Sequence, residues 1–194
     1  MNMEKKFELT DNFIINAFGV KLFQIKCTKS FKYAKEGDLG GYVEKDENLD
    51  QESDAWVSGN AEVYGNARVY GNAWVYGNAW VSGDAWVSGD ARVSGDARVY
   101  GNAEVYGNAW VSGDAEIDNN NKHCGFDCFG SANRHTHAYL TKENKVEITC
   151  GCFRGSIEEF EKRVEETHSG TIYEKQYKAI IDVIKIKFGL TDLI

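Results

Sequence analysis

The sequence predicts a mainly β protein built on a stacked coil of short strands, and three observations predict it. The first is repetition: eleven six-residue units run without a break over residues 55–120. The second is the content of each unit, Ala-x-Val-(Tyr/Ser)-Gly-(Asn/Asp), as in Ala61-Glu62-Val63-Tyr64-Gly65-Asn66; only the last, residues 115–120, drifts. The third is alternation: Ala and Val point to one side, x and Tyr or Ser to the other, as on a strand. A short fixed period means one unit stacked on itself, each touching mainly its neighbours. Gly tolerates unusual backbone angles and Asn or Asp accepts the left-handed region, so Gly-Asn or Gly-Asp turns a corner. A helix is excluded, because each recurring Gly costs about 1 kcal/mol relative to Ala. Strands this short, joined by two-residue corners, do not fold back on themselves as an up-and-down sheet.

The units place aliphatic Val57 four residues before small Ala61, and so on down the repeat. In this they resemble the hexapeptide-repeat family of left-handed parallel β-helices. The resemblance covers about a third of the chain. It implies three units per triangular coil, with coils about 4.8 Å apart. Residues eighteen apart then stack into columns. The first face carries Trp56, Trp74, Arg92 and Trp110; the second carries Glu62, Trp80, Arg98 and Glu116; the third carries Arg68, Trp86 and Glu104, with Tyr70, Ser88 and Tyr106 beside them. All five tryptophans would lie outside the coil. An exposed aromatic ladder marks a contact surface. Trp56, Trp74, Arg92 and Trp110 are therefore expected to form the interface of a homo-oligomer, a trimer, with Arg92 stacked on both Trp74 and Trp110. The plainer alternative is that flat residues shield the hydrogen bonds between coils. Asn60, Asn78, Asp96 and Asp114 share one corner. The Asp96–Asp114 step reads as a solvated pair, since calcium wants six or more oxygens.

Three domains are expected: an N-terminal cap over 1–54, the repeats over 55–120, and a C-terminal α+β domain over 121–194. In the cap, residues 13–17 and 20–27 read as two strands around Phe18-Gly19. Residues 37–41 read as a turn, and Val43 and Leu49 as a degenerate coil. An open coil end exposes backbone edges and apolar core, so it needs such cover. In the C-terminal domain, residues 138–141 and 145–150 read as a hairpin. Ser156 opens a helix with Glu159 as its capping box, and Ile157, Phe160 and Val164 form the apolar stripe. Ser169-Gly170 ends it. A second helix shows Tyr177, Ile180, Ile181, Ile184 and Phe188 on one face. The result is a ββαα unit holding all four histidines and four of the five cysteines.

The flanks carry a second resemblance. Gly37-Asp38-Leu39-Gly40-Gly41-Tyr42 precedes the repeats, and Gly151-Cys152-Phe153-Arg154-Gly155-Ser156-Ile157-Glu158-Glu159 follows them. The combination resembles proteins encoded by phages and prophages. It implies a phage origin and a compact tail domain, without an activity to carry over. A formal charge of −8 argues against binding a nucleic-acid backbone. No run of eighteen apolar residues exists, so no membrane span is expected. Residues 1–10 are charged and lack an apolar segment followed by a cleavage site, so no secretory signal is expected. Five cysteines without a regular framework suit a reducing bacterial cytosol.

Four chemistries compete. Acyl transfer, the activity best known among hexapeptide β-helices, uses a histidine near the coils. Here the first, His123, follows the last coil and no loop interrupts the repeats, so the proton acceptor is missing. A zinc site could draw on Cys124, Cys128, His135, His137, Cys150 and Cys152, but the Cys-x3-Cys and Cys-x-Cys spacings replace the usual Cys-x2-Cys. The cysteines are expected as reduced thiols, with no metal and no cofactor. A ligand pocket is the third reading. Ser131, Asn133, Arg134, Thr136 and His137 cluster before the hairpin. Arg154-Gly155-Ser156 sits at a helix N-terminus, where free N–H groups favour an anion and Gly155 admits a close approach. The expected ligand set is Arg134, Thr136, His137, Arg154, Gly155 and Ser156. The ligand would be nucleotide-like, bound without catalysis to sequester a signal of host defence. A plain oligomerisation scaffold is the fourth reading. Ice-binding faces need a regular Thr array, and calcium-binding β-rolls need Gly-Gly-x-Gly-x-Asp; neither is present.

Overall fold

The computed structural model describes residues 5–190. Residues 1–4 of the expected cap and 191–194 of the expected tail domain lie outside the described residues. The chain divides into two compact units, Met1–Asn119 and Asn120–Ile194.

The first unit opens with β1 (Phe7–Ile15), β2 (Lys21–Cys27) and β3 (Leu39–Val43). Eleven two-residue strands follow: β4 (Trp56–Val57), β5 (Glu62–Val63), β6 (Arg68–Val69), β7 (Trp74–Val75), β8 (Trp80–Val81), β9 (Trp86–Val87), β10 (Arg92–Val93), β11 (Arg98–Val99), β12 (Glu104–Val105), β13 (Trp110–Val111) and β14 (Glu116–Ile117). Strands β4 to β11 each pair in parallel with the strand eighteen residues on, as Trp56 does with Trp74 and Arg68 with Trp86. Three sheets result, in the orders β1-β2-β3-β5-β8-β11-β14, β13-β10-β7-β4 and β12-β9-β6. The unit is a parallel β-solenoid of about four turns.

The repeat explains the packing position by position. The Ala and Val of every unit are buried, along with Ile117 in the last. Backbone hydrogen bonds join coil to coil, as Trp74 N–H does to the Ala91 carbonyl at 2.9 Å. Gly89, at φ +67°, shows why the corner is glycine: a Cβ there would lie 2.8 Å from the Gly107 nitrogen. Corner amides form ladders. Asn60 Nδ2 donates to Asn78 Oδ1 at 3.1 Å, and Asn78 Nδ2 to Asp96 Oδ1 at 3.0 Å.

The solenoid's first end is closed by the degenerate coil. Val43 pairs with Val63 and Leu49 bridges Val69, and both are buried. Residues 37–41, expected as a turn, include the start of β3. Gly40 and Gly41 let it lie flat, since a Cβ on either would come within 2.7 Å of the Val57 or Ala61 carbonyl. The end-facing carbonyls are met by side chains. Asn48 Nδ2 donates to Ala67 O at 2.9 Å, and Lys6 Nζ to Ser53 O and Ala55 O at 2.6 and 2.7 Å.

The second unit is an antiparallel sheet in the order β15 (His123–Phe129), β16 (Arg134–Leu140), β17 (Val146–Cys150), β18 (Phe153–Ser156), with α1 (Ile157–His168) and α2 (Ile172–Lys187) packed on one face. The sheet has four strands where the sequence reading expected two. β15 escapes that reading because Cys128 at φ +63° and a register shift between Phe126 and Phe129 break its alternation. β18 is four residues long and runs directly into the helix cap. Ala138, Ile148 and Cys150 face the helices and pack with Ile157, Phe160, Tyr177, Ile181 and Ile184. Strand alternation puts His135, His137, Tyr139 and Glu147 on the opposite face. Among the described residues, no helix is long and apolar enough to cross a membrane.

Candidate functional site

The residues expected to bind an anion in the second unit do not converge. The Arg154 guanidinium forks onto Glu147, with Nη2 3.1 Å from Oε2 and Nε on Oε1. That hydrogen-bonded carboxylate raises the Arg154 pKa. Ser156 caps α1: its Oγ accepts from Glu159 N–H at 3.3 Å, and its own N–H donates to Glu159 Oε2 at 2.8 Å. Ser156 Oγ also donates to Glu158 at 2.7 Å. The helix N-terminus therefore already faces two carboxylates, which meet its dipole. The space beside Gly155 is filled by the Glu159 carboxylate. Thr136 is buried on the helix side and donates to Cys150 Sγ at 3.3 Å, whereas His137 is buried on the other side. Arg134 lies over Gly151.

The aromatic columns stand in the expected register, and part of the first is covered. Phe31 packs edge-on against Trp56 at 5.3 Å, leaving that indole 2% exposed. Tyr33 and Tyr76 both stack on Trp74, at 5.2 and 4.2 Å. Trp56 is therefore not the exposed rung that the sequence reading expected. Arg92 pairs in register with Trp74 and Trp110, while on the second face the Arg98 guanidinium lies 4.6 Å over Trp80. Trp74 Nε1 donates to Ser58 Oγ, and Trp110 Nε1 to Ser94 Oγ. Both indoles are thereby held against the solenoid wall by serines of the same face.

The third face carries a cleft of about 680 Å³, and beside it a hollow of about 370 Å³ that shares Glu47, Arg68 and Trp86. Residues 46–52, the stretch of the degenerate coil around Leu49, form one wall. The other is Arg68, Tyr70 and Trp86. Leu49 and Val69, bridged to each other, form an apolar floor. Trp86 is 45% exposed and meets Tyr70 edge-to-face at 5.9 Å. Asp46 is paired with Lys5 at 2.7 Å. Asp50 accepts from the N–H groups of Glu52 and Ser53 at 3.2 and 3.1 Å. Arg68 makes no ion pair among the described residues. The cleft thus offers a flat aromatic wall, an apolar floor, an uncommitted guanidinium and carboxylate acceptors. That volume and mixture suit a small ring-bearing ligand. The Arg68–Trp86 column was readable in the sequence; the opposing wall was not.

A second cluster lies in the C-terminal unit. His123 Nδ1 is 3.0 Å from His137 Nε2, and His135 Nδ1 is 2.7 Å from Asp127 Oδ1. The His135 ring lies over Gly125, where a Cβ would come within 2.9 Å of Nε2. His123 Nε2 and His135 Nε2 are buried without a hydrogen-bond partner. Burial, with the Lys187 charge adding to it, lowers the His123 pKa to about 4. Burial raises the Cys124 thiol to about 11. No disulfide links the cysteines, and Cys124 and Cys150 turn toward the helices, away from the histidines. The mixed Cys/His set is therefore not brought together, and no three ligand-type side chains among the described residues already close on a metal position.

The family model described as YdcK Beta solenoid repeat matches residues 61–77, 73–89, 85–101, 91–105 and 97–113. The chain is a repeat β-solenoid protein. The matched residues lie inside the strand ladder and take in both Arg68 and Trp86 of the solenoid's cleft wall. No curated protein matches the chain.

Proposed function

We propose that this solenoid protein binds a small nucleotide-like anion without transforming it, in the cleft of the third face. The observation that carries the reading is the pairing of an exposed indole with an uncommitted guanidinium over an apolar floor. A base stacks on Trp86, a phosphate meets Arg68, and ribose hydroxyls donate to the carboxylates of the opposite wall. The binder is of phage origin and works in the bacterial host cytosol, where it sequesters a signal of host defence. Its coil is left-handed with three six-residue units per turn, and it assembles as a homotrimer. The flanking motifs support the origin, and the eighteen-residue register supports three units per turn.

Calorimetry with nucleoside phosphates and cyclic dinucleotides, followed by chromatography of the recovered ligand, tests the reading. Saturable binding with the ligand recovered intact supports it. A cleaved ligand would make the protein an enzyme, and no binding across the panel would leave the solenoid as a scaffold. The scaffold reading draws on one observation of its own: Tyr106 on the same face is 64% exposed, a surface suited to another chain.

A further inference from the structure

We infer that the ligand of the third-face cleft is a guanine nucleotide, with its base read by Glu47 and its phosphate shared between Arg68 and Lys45. The inference rests on the nucleotide binding proposed for that cleft. Glu47, Arg68 and Trp86 line both the cleft of about 680 Å³ and the hollow of about 370 Å³, so they form the ridge between the two spaces. Those spaces differ in charge. Asp46, Glu47, Asp50 and Glu52 line the larger one against the single cation Arg68. In the smaller one Lys45 joins Arg68, opposite Glu47 and Asp84. Coulomb energy therefore puts the phosphate on the Lys45 side of the ridge. The base is left on the carboxylate side, over the apolar floor of Leu49 and Val69.

The carboxylates narrow the choice of base. Lys5 holds Asp46 at 2.7 Å, two backbone N–H groups hold Asp50, and Asn66 Nδ2 donates to Asp84 Oδ1 at 3.0 Å. Lys45, Glu47 and Arg68 make no ion pair among the described residues. Glu47 rather than Glu52 is the reader, because it shares both spaces with Trp86 and Glu52 shares only one. The turn that carries it, Asp46–Asn48, is fastened to the next coil: Asn48 Nδ2 donates to Gly65 O and Ala67 O at 3.2 and 2.9 Å. A carboxylate held this way favours a ligand edge with two adjacent donors. Guanine has that edge, since its N1–H and 2-amino group lie side by side and meet both carboxylate oxygens. Adenine and cytosine set one amino donor beside a ring-nitrogen acceptor, and uracil sets one N–H between two carbonyls. Each of those turns a lone pair toward Glu47.

The test is calorimetry of the full chain with the 5′-monophosphates of guanosine, inosine, adenosine and cytidine, and with cyclic di-GMP against cyclic di-AMP. The guanine ligand should bind tightest in each set. Inosine monophosphate, which lacks only the 2-amino group, should bind about tenfold more weakly. Glu47→Gln, at an exposed site, should weaken guanine binding about ten- to a hundredfold and close most of its margin over inosine. Lys45→Met should weaken every nucleotide alike and leave the guanine-to-adenine ratio unchanged. Equal affinity for all bases in both sets overturns the guanine assignment while nucleotide binding in the cleft stands. A guanine preference that survives Glu47→Gln overturns it as well. No saturable binding of any ligand removes this inference and the binding it rests on together.

Discussion

Arg68 and Trp86 are register partners, one coil apart on the third face of the solenoid. A guanidinium and an indole therefore stand side by side on one wall of a cleft whose other wall comes from residues 46–52. Stacking a base on an aromatic side chain contributes about 1–3 kcal/mol. Trp86→Ala should therefore weaken nucleotide binding about five- to a hundredfold in calorimetry, with the fold unchanged by circular dichroism. An unchanged affinity would remove the indole from the site.

Arg154→Ala and Ser156→Ala should leave that affinity alone, because Glu147 already holds Arg154 and Ser156 caps α1. Ser156→Ala should instead cost the C-terminal unit about 1 kcal/mol, seen as a lower denaturation midpoint. A loss of ligand affinity in either variant would return the site to the helix N-terminus.

Trp56 and Trp110 occupy the same column with different surroundings. Trp56 is buried under Phe31, so Trp56→Ala should cost about 3–5 kcal/mol in denaturant unfolding. Trp110 is only half-buried, so Trp110→Ser should cost far less and lower the mass in light scattering if the column closes a trimer. A wild-type monomer at micromolar concentration would contradict the trimer.

Lys6 supplies a pH dependence. Its burial at the solenoid's first end lowers its pKa to about 8, against 10.5 in the unfolded chain. Between those values the unfolded state holds more protons, so this residue makes stability rise with pH. Lys6→Met should flatten that rise between about pH 8 and 10.5, read as the difference between wild-type and variant denaturation midpoints. Parallel curves would contradict it.

The repeats, their columns and the degenerate coil through Val43 and Leu49 were legible because a six-residue period leaves one way to bury Ala and Val on the same side. The first helix was legible from its cap and apolar stripe, and the second from its apolar face; the Thr171 cap of the second was not read. β15 was not, since its kink at Cys128 hides the alternation. The tie between Arg154 and Glu147 was not either. Those residues are seven apart in the chain and meet only through the β17–β18 register. The cleft was half legible: Arg68 and Trp86 follow from stacking, but residues 46–52 reach them through the Leu49–Val69 bridge and the hydrogen bonds of Asn48 to Ala67 O and Asp50 N–H to Val69 O, which no local pattern announces.

The most direct test is to purify the protein from infected bacterial cells, denature it, and analyse the filtrate by absorbance and mass spectrometry. A nucleotide-like compound released from the wild-type protein, and absent from material carrying Arg68→Ala with Trp86→Ala, is the predicted result. A wild-type filtrate with no such compound, or the same compound at the same yield from the double variant, would contradict binding in the cleft.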